Sequence, residues 1–330
     1  RQWLLAAALC NRSYISMRVL VVGGSGYLGQ HLLAALSAAA TVSIPHEVFY
    51  TYSSSGALAT APDGVVAHQM DVTDTASIAA CLTKIGPLDA VVNCAAVSQP
   101  AQCEKDPALS ESINVPTLLV QALLALSSSS SSPPPLLIQM STDQVYPGDK
   151  AMSAEKDSPP APVNVYGAQK AQCEEMIAAA YANSGGRFAI LRSSIIYGGQ
   201  TATPVPRNLF VQWLDSQLAA AAEHKARSAA SDDDDAAAMG GMAPVPIEAP
   251  KPITLFTDQY RCPVYVHDIT RVVNALIMFG NQLLPPAPEL PAAGSSEPNQ
   301  CFDNPCIFNL GGPDRLNRLE MGEAIAAANG

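Results

Sequence analysis

The run Arg18-Val19-Leu20-Val21-Val22-Gly23-Gly24-Ser25-Gly26-Tyr27-Leu28-Gly29, continued by apolar residues at helical spacing through Ala38, decides the fold. A short aliphatic, β-branched run predicts a buried strand, and the glycines after it predict a tight turn into a helix. Glycine at 23 permits the turn, glycine at 26 lets an anion come close to the backbone, and glycine at 29 lets the helix pack near the strand. Amides at the helix start, around Tyr27 and Leu28, and the helix dipole then face a pyrophosphate, so the turn implies dinucleotide binding.

Further strands are expected at Val48–Tyr52, Val65–Gln69, Ala90–Asn93, Leu136–Ser141 and Phe188–Arg192, with helical patterns between most of them. Such alternation predicts an α/β, Rossmann-type doubly wound parallel sheet covered by helices on both faces. Beyond Gly198 the pattern becomes irregular: a helix is expected over Asn208–Ala222, a strand near Val264–His267 and a helix over Ile269–Gly280. The resulting division is an N-terminal extension (1–16), a dinucleotide domain (17–200) and a smaller C-terminal substrate lobe (201–330). A final helical pattern, Leu319–Ala328, reaches almost to Gly330, so the lobe is expected to be incomplete at its C-terminus. Ser127–Pro135, Ala219–Pro250 and Leu284–Pro305 are compositionally biased and read as surface insertions, Asp232–Asp235 as a solvated run without chemistry, and Cys301 and Cys306 as residues without a role.

At 330 residues and 48% hydrophobic, the chain can bury a large core. Asp and Glu outnumber Lys and Arg by 29 to 18, a net charge of -11, which leaves no broad basic surface for nucleic acid. Eight cysteines without Cys-x-x-Cys spacing, and five histidines not clustered with them, point to reduced thiols in a cytoplasmic compartment and to no metal site. The apolar run Trp3–Cys10 between Arg1 and Arg12 reads as an upstream extension or as a targeting remnant, and no membrane span is expected.

Two further motifs carry chemistry. Tyr166 and Lys170 in Tyr166-Gly167-Ala168-Gln169-Lys170 stand one helical turn apart on one face. A cation beside a phenol stabilises the phenolate, which lets the tyrosine exchange a proton with a substrate oxygen near neutral pH, and the lysine can hold ribose hydroxyls. Ser141-Thr142-Asp143 ends the fifth expected strand, at the carboxyl edge where such sheets bind ligands. Alternate residues face opposite sides, so only one of the two hydroxyls can point at the site.

The Gly23-x-x-Gly26-x-x-Gly29 spacing followed by Tyr166-x-x-x-Lys170 resembles the extended short-chain dehydrogenase/reductases. From Val19 to Asn329, apart from the insertions, the chain resembles more narrowly the dTDP-4-dehydrorhamnose reductase family, whose relatives include the regulatory β subunit of methionine adenosyltransferase. The narrower resemblance rests on Ser141-Thr142-Asp143, on Pro162-Val163-Asn164-Val165-Tyr166-Gly167 with Lys170 and Glu174, on Leu191-Arg192-Ser193, on Asp258-Gln259-Tyr260-Arg261-Cys262-Pro263 and on Phe308-Asn309-Leu310-Gly311-Gly312. It departs from that family at Gln144 and Tyr146, where the reductases carry tyrosine and phenylalanine, and at Pro147, where they carry an acid.

The resemblance implies a catalytic set of Thr142, Tyr166 and Lys170, with Ser141 orienting the strand end. It implies that Asp71 contacts adenine, that Asn93-Cys94-Ala95-Ala96 forms the loop beside the cofactor, and that Asn114 fixes local backbone. For Asn93 and Asn114 a purely structural role stays equally open, and Cys94 reads as a packed residue. Asp143, Arg192, Asp258, Gln259 and Arg261 become candidate substrate contacts, although a surface-turn role for the 258–261 run stays open. Tyr50-Thr51-Tyr52-Ser53-Ser54 supplies neither an acid for a ribose hydroxyl nor an arginine for a 2′-phosphate, and its hydroxyls, Ser53 among them, tilt the expectation to NADP(H) over NAD(H). The implied activity is reduction of a 4-keto nucleotide sugar. The alternative is a non-catalytic dinucleotide-binding regulatory subunit acting on a partner synthetase; a homodimer is compatible with either.

Overall fold

The computed structural model describes residues 16–38, 46–54, 56–128, 133–150, 153–155, 158–182, 184–205, 209–231, 252–287 and 305–329. The readings made on residues 1–15, the acidic run at 232–235 and Cys301 lie outside them.

Seven strands among the described residues pair in parallel: β1 (Arg18–Val22), β2 (Glu47–Tyr52), β3 (Val66–Gln69), β4 (Ala90–Asn93), β5 (Leu136–Thr142), β6 (Phe188–Ser193) and β7 (Ile307–Leu310). Their order is β3-β2-β1-β4-β5-β6-β7. The chain winds outward from β1 to β3, then returns to lay β4 on the other side of β1, with Val22 opposite Asn93. That reversal opens a crevice at the carboxyl ends of β1 and β4, where ligands bind in folds of this kind. Val19–Val22, Ala90–Val92, Leu137, Ile138 and Phe188–Leu191 are fully buried, as expected of strands covered on both faces.

The helices of the first layer start where the sequence supplies caps. α1 (Tyr27–Ser37) leaves the glycine turn, and α2 (Thr75–Ile85) is capped by Asp74, whose carboxylate accepts from the amides of Ala76 and Ser77. The helices α3 (Pro100–Lys105), α4 (Pro107–Asn114) and α5 (Thr117–Ser128) follow β4, and α6 (Val165–Tyr181) follows β5. Leu20, Phe49, Ile78, Val91, Leu119, Leu123, Leu137, Ile177 and Ile190 form one core between helices and sheet.

The stretch Pro107–Ser127 corrects the expectation that no segment is long and apolar enough to cross a membrane, since by length and composition it is. It is not one helix of the secondary structure, however: the break at Val115 and Pro116 separates α4 from α5. Proline at 116 cannot donate an amide to a continuing helix, and Leu119, Val120 and Leu123 are buried in the core.

The expected boundary at 200/201 also needs correction. One compact unit comprises Arg1–Ser194, Gly198–Val205 and Val264–Leu310; the other comprises Ile195–Tyr197, Pro206–Pro263 and Gly311–Gly330. The helix α8 (Val266–Leu283) and strand β7, assigned to the lobe by sequence, belong to the first unit because β7 completes the ladder of β6, with Leu191 opposite Phe308. In the second unit, α7 (Phe210–Ser231) runs through the start of the segment read as an insertion. Its Ala, Glu, Lys and Arg residues are good helix formers. This unit also contains α9 (Arg318–Asn329) and an antiparallel bridge between Arg261 and Leu316.

Candidate active site

The glycine turn closes one end of a cavity of about 290 Å3. Gly23, Ser25 and Gly26 line it from the turn after β1, Thr51, Tyr52 and Ser53 from the end of β2, Met70, Asp71 and Val72 from the end of β3, and Cys94–Val97 with Ile113 from the β4 side. All four strands therefore present their carboxyl ends to one space.

Gly23 has φ 74°, the left-handed region, and a Cβ there would lie 2.9 Å from the Ala95 amide nitrogen. Its amide donates to Thr51 Oγ1 at 3.1 Å, tying the turn to β2. Gly26 caps α1 without any side-chain hydrogen bond, and the first turn holds no acid. The positive end of the helix, with no side-chain cap competing for it, fits a pyrophosphate. Gly29 does not line the cavity: it is buried behind it, where a Cβ would lie 2.6 Å from the Gly23 carbonyl oxygen. Leu28 is half-buried, and Tyr27 donates its hydroxyl to the Gly199 carbonyl at 3.0 Å. We expect Gly26→Val to weaken dinucleotide affinity about tenfold or more, because a branched side chain would fill the approach to the backbone. Titration of the folded variant checks this; unchanged affinity would remove Gly26 from the site.

Asp71 is exposed at the cavity wall, and its carboxylate accepts from the hydroxyl and amide of Thr73 at 2.7 and 2.8 Å. These bonds hold its pKa below the usual carboxylate range. Ala95 lies on the lining, but Asn93 does not: Asn93 is buried, donates to Gln139 Oε1 at 2.9 Å and accepts from the Ala95 amide at 3.2 Å. Asn114 likewise accepts from the Val97 amide and donates to Gln169 Oε1 at 2.8 Å. Of the two roles open for these residues, the contacts are those of backbone supports.

The end of β5 and the helix after it carry the other candidate residues, and Thr142, Tyr166 and Lys170 do not line this cavity. Ser141 donates to Glu174 Oε1 at 2.5 Å, whereas Thr142, on the opposite side of the strand, accepts from the Gln144 amide at 3.3 Å and donates its hydroxyl to Asp143 Oδ1 at 3.5 Å. Lys170 is 2% exposed and donates from Nζ to the Met140 carbonyl at 3.2 Å. Burial pulls its pKa below the ordinary value, while Cys173, Cys94 and Glu174 push the other way. Burial also raises the Cys94 thiol to about 12, against the pull of Lys170. Cys94 lines the cavity. A thiol so raised is a poor nucleophile.

Tyr166 is buried in the first turn of α6. That turn is fixed from two sides. Asn164 accepts from the Gly167 amide at 2.7 Å and donates to Gln144 Oε1 at 3.0 Å, and the Val165 amide donates to Glu104 Oε1 at 2.9 Å. The sequence reading missed Asn164 as a positioning residue, although an Asn directly before an expected helix is a recognisable cap.

Arg192 does not serve as the expected substrate contact. It is 1% exposed, pairs with Glu174 at 2.6 Å and donates to the Tyr146 hydroxyl at 2.7 Å. Its place on β6, opposite Ser141, points it into the interface with α6. Tyr146 in turn donates to Asn309 Oδ1 at 2.8 Å, so two of the three departures from the resembled reductases, Gln144 and Tyr146, carry structural hydrogen bonds. Asp143 accepts from Ser194 Oγ at 2.8 Å and is half-buried beside Thr142. In the second unit, Asp258 and Gln259 are exposed and Arg261 is half-buried at its bridge to Leu316.

A parallel sheet with this strand order, an uncapped glycine turn, and a Tyr-x-x-x-Lys helix after β5 define an NAD(P)-binding Rossmann protein of the extended short-chain dehydrogenase/reductase class. Residues 17–224 match the RmlD substrate binding domain model, and the chain belongs to that family. It is 30% identical over 187 residues to a dTDP-4-dehydrorhamnose reductase from Streptomyces griseus (56% of this chain, 52% of that one). It is also 30% identical over 210 residues to a UDP-glucose 4-epimerase from Azospirillum brasilense (61% and 57%). The chain thus spans little more than half the length of these curated relatives. A dTDP-4-dehydrorhamnose reductase from Bacillus anthracis, solved in complex with NADP, superposes with a TM-score of 0.61 at 18% identity, covering 96% of this chain and 82% of that one, a likeness of fold.

Proposed function

We propose that the protein reduces the ketone of a 4-keto nucleotide-activated sugar with a nicotinamide dinucleotide. The observation that carries this reading is the buried Lys170, one helical turn after Tyr166 and bonded to the Met140 carbonyl of β5, the strand that ends at Thr142. Gly23, Gly26 and the positive N-terminal end of α1 would hold the pyrophosphate, and the hydroxyls of Tyr52 and Ser53 at the end of β2 can hydrogen-bond the adenosine ribose of either NADH or NADPH. When bound, the dinucleotide supplies a hydride to the ketone carbon.

The chain's own residues handle the oxygen. Thr142 donates a hydrogen bond to the carbonyl, Tyr166 delivers the proton that completes the alcohol, and the Lys170 cation stabilises the phenolate left behind. Each of these interactions strengthens as negative charge grows on the oxygen, so they act on the transition state more than on the ketone. The test is incubation of purified protein with reduced dinucleotide and a panel of 4-keto sugar nucleotides, following loss of reduced-nicotinamide absorbance. Sugar-dependent oxidation supports the reading. No oxidation with any sugar, together with a dinucleotide-dependent change in the activity of a partner synthetase, would replace it with the regulatory one.

A further inference from the structure

We propose that the dinucleotide site selects NADH over NADPH, because the half of the fold that would surround the adenosine ribose offers a hydroxyl no opposition and a 2′-phosphate no cation. This inference rests on the dinucleotide reading above and reverses the tilt to NADP(H) drawn from the hydroxyls at 50–54.

Between Arg18 and Lys84 the sequence contains neither lysine nor arginine. That segment builds β1, α1, β2, β3 and nearly all of α2, and it supplies the cavity lining from Gly23 to Val72. The two flanking cations are at the wrong end of the strands. Arg18 opens β1 and is paired with Glu47, the first residue of β2, while Lys84 lies in the last turn of α2, just before the chain enters β4. The lining contributed from beyond β4, Cys94–Val97 and Ile113, adds no ionised side chain.

Histidine does not fill the gap. The segment's three histidines, His31, His46 and His68, all have pKa values lowered first by burial, so none is a ready cation at neutral pH. The segment's charged groups near the cavity are instead acidic, and Asp71 on the wall is held ionised by Thr73. A 2′-phosphate carries nearly two negative charges, which here would lose water without gaining a partner and would add to a chain already at -11. A ribose hydroxyl needs only one hydrogen-bond partner, which exposed Ser53 and half-buried Tyr52 supply.

The experiment is titration of the full chain with NADH and with NADPH, read by reduced-nicotinamide fluorescence, at low and at high ionic strength. NADH is expected to bind about tenfold or more tightly at low salt, with the gap narrowing as salt screens the repulsion. Ser53→Arg, at an exposed position, should strengthen NADPH binding selectively by placing a guanidinium beside the phosphate. NADPH binding as tightly as NADH in the unaltered protein, or no gain for NADPH in Ser53→Arg, would overturn the preference while leaving dinucleotide binding intact. Binding of neither cofactor would overturn the dinucleotide reading itself, and the preference with it.

Discussion

Tyr166→Phe is expected to lower turnover by about 10²-fold or more while leaving dinucleotide affinity nearly unchanged, because it removes the proposed proton donor and keeps the ring. The ring remains to fill its buried place in the first turn of α6, and the Asn164 cap and the Glu104 contact at Val165 do not depend on the hydroxyl. Lys170→Met is the companion change. It removes the cation proposed both to tune the phenol and to hold ribose, so it should weaken turnover and cofactor affinity together. Its similar length and apolar stem suit a site 2% exposed, which limits the cost to folding. Steady-state kinetics and cofactor titration of the two variants separate these effects. Equal losses of turnover and affinity in both would refute the division of roles between phenol and ammonium.

Glu174→Ala should cost about 3–5 kcal/mol of stability, the usual penalty for stranding one member of a buried ion pair. Arg192 and Glu174 are 1% and 4% exposed, and the carboxylate also accepts from Ser141. Removing it leaves a guanidinium held by the Tyr146 hydroxyl but without its counter-charge, in an interior where an unpaired charge is strongly disfavoured. Glu174→Gln keeps the shape and one acceptor oxygen and should lose less. Urea unfolding measures both. A loss below about 1 kcal/mol in Glu174→Ala would mean that Arg192 reaches solvent by rearrangement, contrary to its burial here.

This network also explains why β5 and α6 keep their register. Glu174 lies one turn beyond Lys170 on α6, and through Ser141 and Arg192 it fastens that helix to β5 and β6 together. Thr142, the next residue after Ser141, is thereby held relative to Lys170, whose own bond to Met140 reaches the same strand. The polar interior is therefore part of what sets the geometry of the site, since an apolar substitute would pack without fixing direction.

The sequence by itself determined the dinucleotide half of the protein. Local patterns suffice there: strand, glycine turn and helix are contiguous, so Arg18–Gly29 announces the fold and the candidate anion site, and β4 was legible to the residue because three buried aliphatic residues and a buried Asn sit between turn signals. The Tyr166 and Lys170 pair is equally local, one helical turn on one face. Tertiary structure alone decided what depends on distant partners. Ile307–Leu310 is four residues with no periodicity of its own, and only the ladder with β6 returns it to the sheet. Arg192 looked like a free cation until Glu174 and Tyr146, 18 and 46 residues away, were found around it. Charge in a sequence is visible, but whether a charge is spent inside or offered to a ligand is fixed by which elements the folded chain packs together, and no local pattern encodes that.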